Sequence, residues 1–249
     1  MYFCIMDEKA WFASWFDTDY YHLLYKNRDL SEAQAFVGNL CRDLQLPKGA
    51  EVLDLACGKG RHSRTLHSLG YKVTGADLSE NSIEAARACS DDGLEFIVHD
   101  MREVIPNRSF DAVFNIFTSF GYFDHNEENE KVIRSVHSML RTNGLFIIDF
   151  MNADKVIRTL PEKLVKSKEG IDFHITKEYN GTHILKEIRF EDKGQSFHYT
   201  ERVQAFKKED FQSLLTENGF EILRTFGDFD LHPFDKMESD RLILIAKKH

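Results

Sequence analysis

The stretch Val52-Leu53-Asp54-Leu55-Ala56-Cys57-Gly58-Lys59-Gly60 is an apolar run of strand length that ends in an acidic residue and breaks into glycines, and it narrows the folds open to this chain. Gly58 and Gly60 carry no Cβ, so they can turn tightly and let a ligand approach the backbone, and the segment after them can open a helix. The pattern then repeats. Apolar runs near 72–76, 94–98, 110–115 and 145–149 alternate with segments of helical period near 60–68, 80–89 and 127–140. Such alternation predicts an α/β fold with a parallel, doubly wound sheet, whose ligands sit at the carboxyl ends of the strands.

Asp77 closes the second apolar run nineteen residues after Gly58, where a βαβ unit sets a carboxylate against ribose hydroxyls. The third glycine of the dinucleotide fingerprint would fall at Ser63, so the usual glycine contact between helix and strand is expected to be missing. A pyrophosphate ligand is disfavoured accordingly. Asp54 can serve as a capping carboxylate, organise the glycine loop, or face a cationic ligand.

The segment Asp54 to Gly60 resembles the first motif of the class I S-adenosylmethionine-dependent methyltransferases. Phe110 to Asn115 looks like that family's fourth strand, and Leu140 to Asp149 like the approach to its fifth. The resemblance implies a Rossmann-like seven-stranded sheet, with S-adenosylmethionine as cofactor and S-adenosylhomocysteine as product. It places Ala56, Cys57, Gly58 and Gly60 around the cofactor, Asp77 followed by Leu78 at the ribose, and Asp100 followed by Met101 at the adenine. Phe117, just past the fourth strand, is expected near the sulfonium. Arg28 is expected to grip the methionine carboxylate, as an arginine before the first strand does in related small-molecule enzymes. Tyr20 and Tyr21 would cover the cofactor from the same segment, although aromatics at helical spacing also serve as core.

A chain of 249 residues with 42% hydrophobic content suits one α/β domain plus an insertion. The expected division is a cofactor-binding domain with an N-terminal helical lid over 1–160 and 206–249, and an antiparallel β insertion over 161–205 as substrate-side cover. Within it, Ile171, Phe173 and Ile175, then Ile184, Ile188 and Phe190, then Phe197, Tyr199 and Val203 follow period two, and Asn180-Gly181 marks a hairpin turn. Three antiparallel strands are expected there. Near the N-terminus, Trp11 and Trp15, Phe12 and Phe16, and Tyr21 and Tyr25 repeat at i,i+4, which predicts two short helices around a break at Asp17-Thr18-Asp19.

No apolar run approaches the roughly 20 residues that span a bilayer, and the N-terminus lacks the form of a secretory signal, so a cytoplasmic address is expected. Cys4, Cys41, Cys57 and Cys89 show neither paired nor zinc-type spacing, and the eleven histidines form no HExxH; no metal is assigned. A formal net charge of −9 disfavours nucleic acid as partner, and the one basic cluster, Lys163, Lys166 and Lys168, reads as a solvated face. Oligomeric state is left open.

The expected activity is methyl transfer to a small-molecule acceptor. An amine is favoured over a hydroxyl, because a hydroxyl needs a general base and none is evident. Asn115-Ile116-Phe117-Thr118 also lacks the Asn/Asp-Pro-Pro-Tyr/Phe signature of many adenine and glutamine methyltransferases. These features resemble the small-molecule group that includes glycine and amino-sugar N-methyltransferases. The competing readings are an NAD-dependent oxidoreductase, an RNA methyltransferase, and a non-catalytic S-adenosylmethionine-binding protein.

Overall fold

The computed structural model describes residues 15–25, 30–123 and 125–249. Among the described residues, two helices, α1 (Asp19–Leu24) and α2 (Leu30–Leu44), precede the sheet. The chain then runs β1 (Glu51–Leu55), α3 (Arg61–Ser68), β2 (Lys72–Asp77), α4 (Glu80–Arg87), β3 (Leu94–Val98), β4 (Phe110–Asn115), α5 (Asn126–Met139), β5 (Leu140–Met151) and α6 (Ala153–Thr159). An insertion follows with β6 (Glu162–Lys168), β7 (Ile171–Tyr179), β8 (His183–Asp192) and β9 (Gln195–Gln204), before α7 (Lys208–Glu217), β10 (Phe220–Phe226) and β11 (Arg241–Lys248) close the fold.

The seven-stranded sheet has the order β10-β11-β5-β4-β1-β2-β3. β1 to β5 are parallel, as the alternation predicts, but β11 runs antiparallel to both β5 and β10, so the sheet is mixed. The reason lies in the connections: parallel neighbours need a crossover, whereas β10 passes to β11 through a loop that folds straight back. That loop, 227–240, therefore lies at the carboxyl edge of β4 and β5.

Each face of the sheet carries its own core. Val132, Ile133 and Val136 of α5 and Phe211 and Leu215 of α7 pack with Leu53, Val113, Phe146 and Ile148. On the other face Phe36, Val37 and Leu40 of α2, Leu66 of α3 and Ile83 and Ala86 of α4 meet Val52, Ala112, Phe114 and Ile147. Successive β4 residues thus point to opposite cores, which is why this strand is apolar throughout instead of alternating. Each large side chain so buried stabilises the fold by roughly 1.5–3 kcal/mol.

The insertion forms a four-stranded antiparallel sheet, β6-β7-β8-β9, where three strands are expected. The additional strand, β6, reads Glu-Lys-Leu-Val-Lys-Ser-Lys and is an edge strand with few buried positions, so it lacks a period-two apolar signal. Its lysines, including Lys163, Lys166 and Lys168, are the charges that discourage pairing of such an edge with another chain. Asn180 and Gly181 do make the turn between β7 and β8. Phe173, Ile175, Ile188 and Phe190 on the inner face bury Trp15 and Leu24, so α1 and Trp15 and Phe16 before it cover this sheet.

Candidate active site

The glycine loop joins β1 to α3 through three left-handed residues, Ala56 (φ 63°), Gly58 (54°) and Gly60 (74°). Among the described residues a Cβ on Gly58 would meet nothing within 4 Å, so they leave this part of the loop bordering space that a ligand can enter. A Cβ on Gly60 would lie 2.5 Å from the Phe96 ring, so Gly60 is required by packing beneath the loop. The helix–strand contact expected to be missing at Ser63 is still made, with the glycine on the other partner. A Cβ on Gly75 of β2 would come 3.0 Å from Ser63 Oγ and 2.5 Å from Phe96.

Two carboxylates brace the loop. Asp77 Oδ2 accepts from Gly58 N–H at 2.7 Å, and its Oδ1 accepts from Ser79 N–H at 2.9 Å. A carboxylate has about four acceptor positions, so both oxygens keep capacity for further donors. Asp54 is buried and its Oδ2 accepts from Ser63 Oγ at 2.5 Å. Burial pushes the Asp54 carboxyl up to about 6 against the opposing bond from Ser63, and the Asp77 charge adds to the rise. Burial also raises Asp77 above its ordinary range, with the Ser79 and Gly58 N–H bonds opposing it.

Beyond Asp77 the cleft wall turns apolar. Leu78 and Val98, past the end of β2 and at the end of β3, are 43% and 42% exposed, which is unusual for side chains of this size beside a core. Half-buried Met101 packs from the following loop. Asp100 is held by Arg102 through Nε and Nη2, the latter at 2.5 Å, and Arg102 also reaches Glu128 at 2.6 Å and lies 4.8 Å over the Phe123 ring. Burial would raise the Asp100 pKa, but the Arg102 bonds outweigh it and lower it.

α1 spans the cleft. Thr18 caps it by accepting from Tyr21 N–H at 3.1 Å, which explains the break in the aromatic pattern. Asp17 accepts from Ser79 Oγ beside Asp77, and the His22 pKa is lowered by burial and then by the Lys59 charge of the glycine loop. Tyr21 sits among the rings of Trp15, Phe16 and Tyr25. Tyr20 points elsewhere than expected: its ring packs on Phe190 and Phe197 and its hydroxyl donates to Asp192 at 2.8 Å, because the insertion offers both an apolar face and a carboxylate. Glu201 of β9 accepts from Trp15 Nε1 at 2.8 Å and from the Tyr25 hydroxyl at 2.6 Å, and pairs with Lys186 at 3.1 Å. Arg28 lies outside the described residues, as do Trp11 and Phe12.

At the far end of the cleft, Phe117 stacks on His62 with ring centroids 4.7 Å apart and packs on Phe229 at 5.1 Å. Arg61 lies 4.9 Å over the same ring and directs Nη2 to His62 Nε2 at 3.0 Å. Phe117 and Thr118 both have left-handed backbones, at φ 62° and 59°, a cost of roughly 1–2 kcal/mol per residue. Buried Asp149, Arg241 and the 227–240 loop make up this end with them; Asp149 closes the run that resembles the fifth strand without a role assigned to it, and the other two carry no mark in the sequence. Arg241 stands at the start of an unremarkable apolar strand, and only the antiparallel return of β11 brings it to the site.

Among the described residues no group of histidine, cysteine and acidic side chains is placed to hold a metal, and no helix is long and apolar enough to cross a membrane. A groove of about 700 Å³ among Asp172, His174, Arg189 and His198 is lined by the insertion alone and lies apart from the glycine loop.

A glycine loop at the end of β1, carboxylates at the ends of β1 and β2, and a seven-stranded sheet with β11 reversed define a class I methyltransferase fold. A family model described as a methyltransferase domain matches residues 46–221, and the chain belongs to that family of S-adenosylmethionine-dependent enzymes. The glycine/sarcosine N-methyltransferase of Aphanothece halophytica is 28% identical over 235 residues, covering 89% of this chain and 83% of the relative. An S-adenosylmethionine-dependent methyltransferase from Clostridium acetobutylicum superposes with a TM-score of 0.78 at 21% identity, over 92% of this chain and 96% of the other. The S-adenosylmethionine-bound amino pentose methyltransferase CalS10 of Micromonospora echinaspora gives 0.71 at 19% identity, over 93% and 98%.

Proposed function

We propose that this methyltransferase acts on the amine of a small-molecule acceptor. S-adenosylmethionine, when bound, supplies a methyl group already activated for transfer. The chain's own residues then have to bind, orient and exclude water. The observation that carries the reading of the donor site is the Asp77 carboxylate, fixed by Gly58 and Ser79 N–H beside open space at the glycine loop.

In this reading Asp77 takes the ribose hydroxyls, and Leu78 and Met101 flank the adenine with Asp100 at its edge. Ala56, Cys57, Gly58 and Gly60 line the methionine portion, buried Asp54 offsets the sulfonium charge, and Phe117 faces the methyl group. Tyr21 covers the cleft from α1, and Arg28 takes the methionine carboxylate. Residues 1–160 and 206–249 form the cofactor-binding domain with its lid, and 161–205 cover the acceptor side.

An amine acceptor is supported by the state of His62. The imidazole stacked on Phe117 is buried, and its Nε2 faces an Arg61 nitrogen that can only donate. The basic nitrogen is thereby occupied, which leaves it unsuited to deprotonate a hydroxyl. A neutral amine needs no such base to attack. The name of the Aphanothece halophytica relative supports the same class of acceptor.

Incubation with methyl-labelled S-adenosylmethionine and matched panels of amines, including glycine and sarcosine, and of phenols and alcohols tests this. Label on nitrogen is the expected result. Label found on oxygen alone would overturn the amine assignment.

A further inference from the structure

Two consecutive left-handed residues without glycine need an external cause, and a β-branched threonine is poorly suited to that region. The cause at Phe117-Thr118 is Asp149. Fully buried at the carboxyl end of β5, it accepts from Phe117 N–H through Oδ2 at 2.8 Å, and its main-chain oxygen accepts from Thr118 N–H at 2.9 Å. Arg241, at the start of β11, completes the clamp. Its Nε donates to Asp149 Oδ1 at 2.7 Å and its Nη2 to Thr118 Oγ1 at 3.0 Å. From the other side the Tyr122 hydroxyl donates to Thr118 O at 2.5 Å. The guanidinium also lies 5.4 Å from the centroid of Phe229, the ring that backs Phe117.

We propose that Asp149 and Arg241 are a positioning pair for methyl transfer. They hold the turn after β4 in its left-handed form, which keeps Phe117 pressed on His62 at the head of α3 and gives the methyl end of the cleft its shape. Both act through Phe117 and Thr118, with no contact to the reacting atoms required. The proposal rests on the reading that the cleft at the glycine loop holds S-adenosylmethionine.

The alternative is a pair that only ties the sheet together, and it makes different predictions. Removing a structural tie lowers stability and leaves the site's affinity as it was. Removing a positioning pair lets the turn relax and weakens the site in a protein that remains folded. Glycine separates the two, because it adopts the left-handed region unaided. Placed at position 118, it should make the clamp dispensable.

Asp149→Asn leaves a poorly exposed guanidinium without its carboxylate and carries the greater risk to folding, so Arg241→Lys is the working variant: the charge remains and the two-pronged contact is lost. Calorimetric titration with S-adenosylhomocysteine should show affinity reduced about tenfold in Arg241→Lys, or about 1.4 kcal/mol. Arg241→Lys with Thr118→Gly should return to within about threefold of wild type, a coupling expected only between residues that act together. A lowered melting temperature with unchanged affinity in Arg241→Lys, or no recovery on adding glycine, would overturn the proposal. Wild-type protein that binds neither S-adenosylmethionine nor S-adenosylhomocysteine would instead remove the reading of the cleft, and the positioning role with it.

Discussion

The two ends of the cleft are held together differently. At β1 and β2 the bonds that define the site join near neighbours: Ser63 reaches Asp54 across 9 positions and Gly58 reaches Asp77 across 19. At β4, β5 and β11 they join distant ones: Phe117 to Asp149 across 32, Arg241 to Asp149 across 92 and to Thr118 across 123. The insertion goes further, with Trp15 donating to Glu201 across 186. The glycine-loop end is thus one βαβ unit whose loop and carboxylate are near in sequence, while the end at Phe117 forms only where strands distant in sequence meet in the sheet.

This contrast should appear first in affinity. Asp77→Ala removes the acceptor for Gly58 and Ser79 N–H and, in the proposed reading, for the ribose hydroxyls, so calorimetry should show S-adenosylhomocysteine bound about a hundredfold more weakly, at the 1.5–3 kcal/mol typical of a hydrogen bond to a charged group. Glu201→Gln, which loosens Trp15, Tyr25 and Lys186, should leave that constant within about threefold and lower the melting temperature instead. Equal losses of affinity in both would erase the distinction between the two ends.

A smaller effect is expected from pH. Asp54 has a folded-state pKa of about 6, above its ordinary 3.8, so the folded protein holds this proton more tightly than the unfolded chain between those values. Its contribution therefore favours folding at low pH and is lost as pH rises from about 4 to about 6. Ligand binding has the opposite sign. S-adenosylmethionine carries a sulfonium and S-adenosylhomocysteine does not, so protonating Asp54 should weaken the first more. Between pH 7 and pH 5 affinity for S-adenosylmethionine should fall about tenfold relative to S-adenosylhomocysteine, the scale of one charge interaction in a partly buried site. Asp54→Asn should flatten that ratio.

The same difference in range explains what the sequence disclosed. The strand-to-glycine transition at Leu55-Gly58, the carboxylate at Asp77 and the strand–helix alternation are short patterns, and each corresponds to an element in the fold. Ser63 looked like a lost packing contact only because its partner, Gly75, lies on the next strand. β6 stayed hidden because a lysine-rich edge strand need not show an apolar face. Tyr20 was drawn toward the cofactor by its position near Arg28, whereas Phe190 and Asp192 of the insertion hold it elsewhere. Asp149 closes a run that resembles the fifth strand, but nothing in the sequence pairs it with Arg241. A single aspartate near a strand end and an arginine before an apolar run are ordinary, and they become a clamp only where an antiparallel strand returns to the edge of a parallel sheet.

The most direct measurement is a crystal structure with S-adenosylhomocysteine bound. Ribose hydroxyls within about 3 Å of the Asp77 carboxylate, adenine against Leu78 and Met101, and sulfur directed toward Phe117 over an intact left-handed turn are the predicted result. A ligand bound elsewhere, or bound with Asp77 beyond hydrogen-bond reach of the ribose, would contradict it.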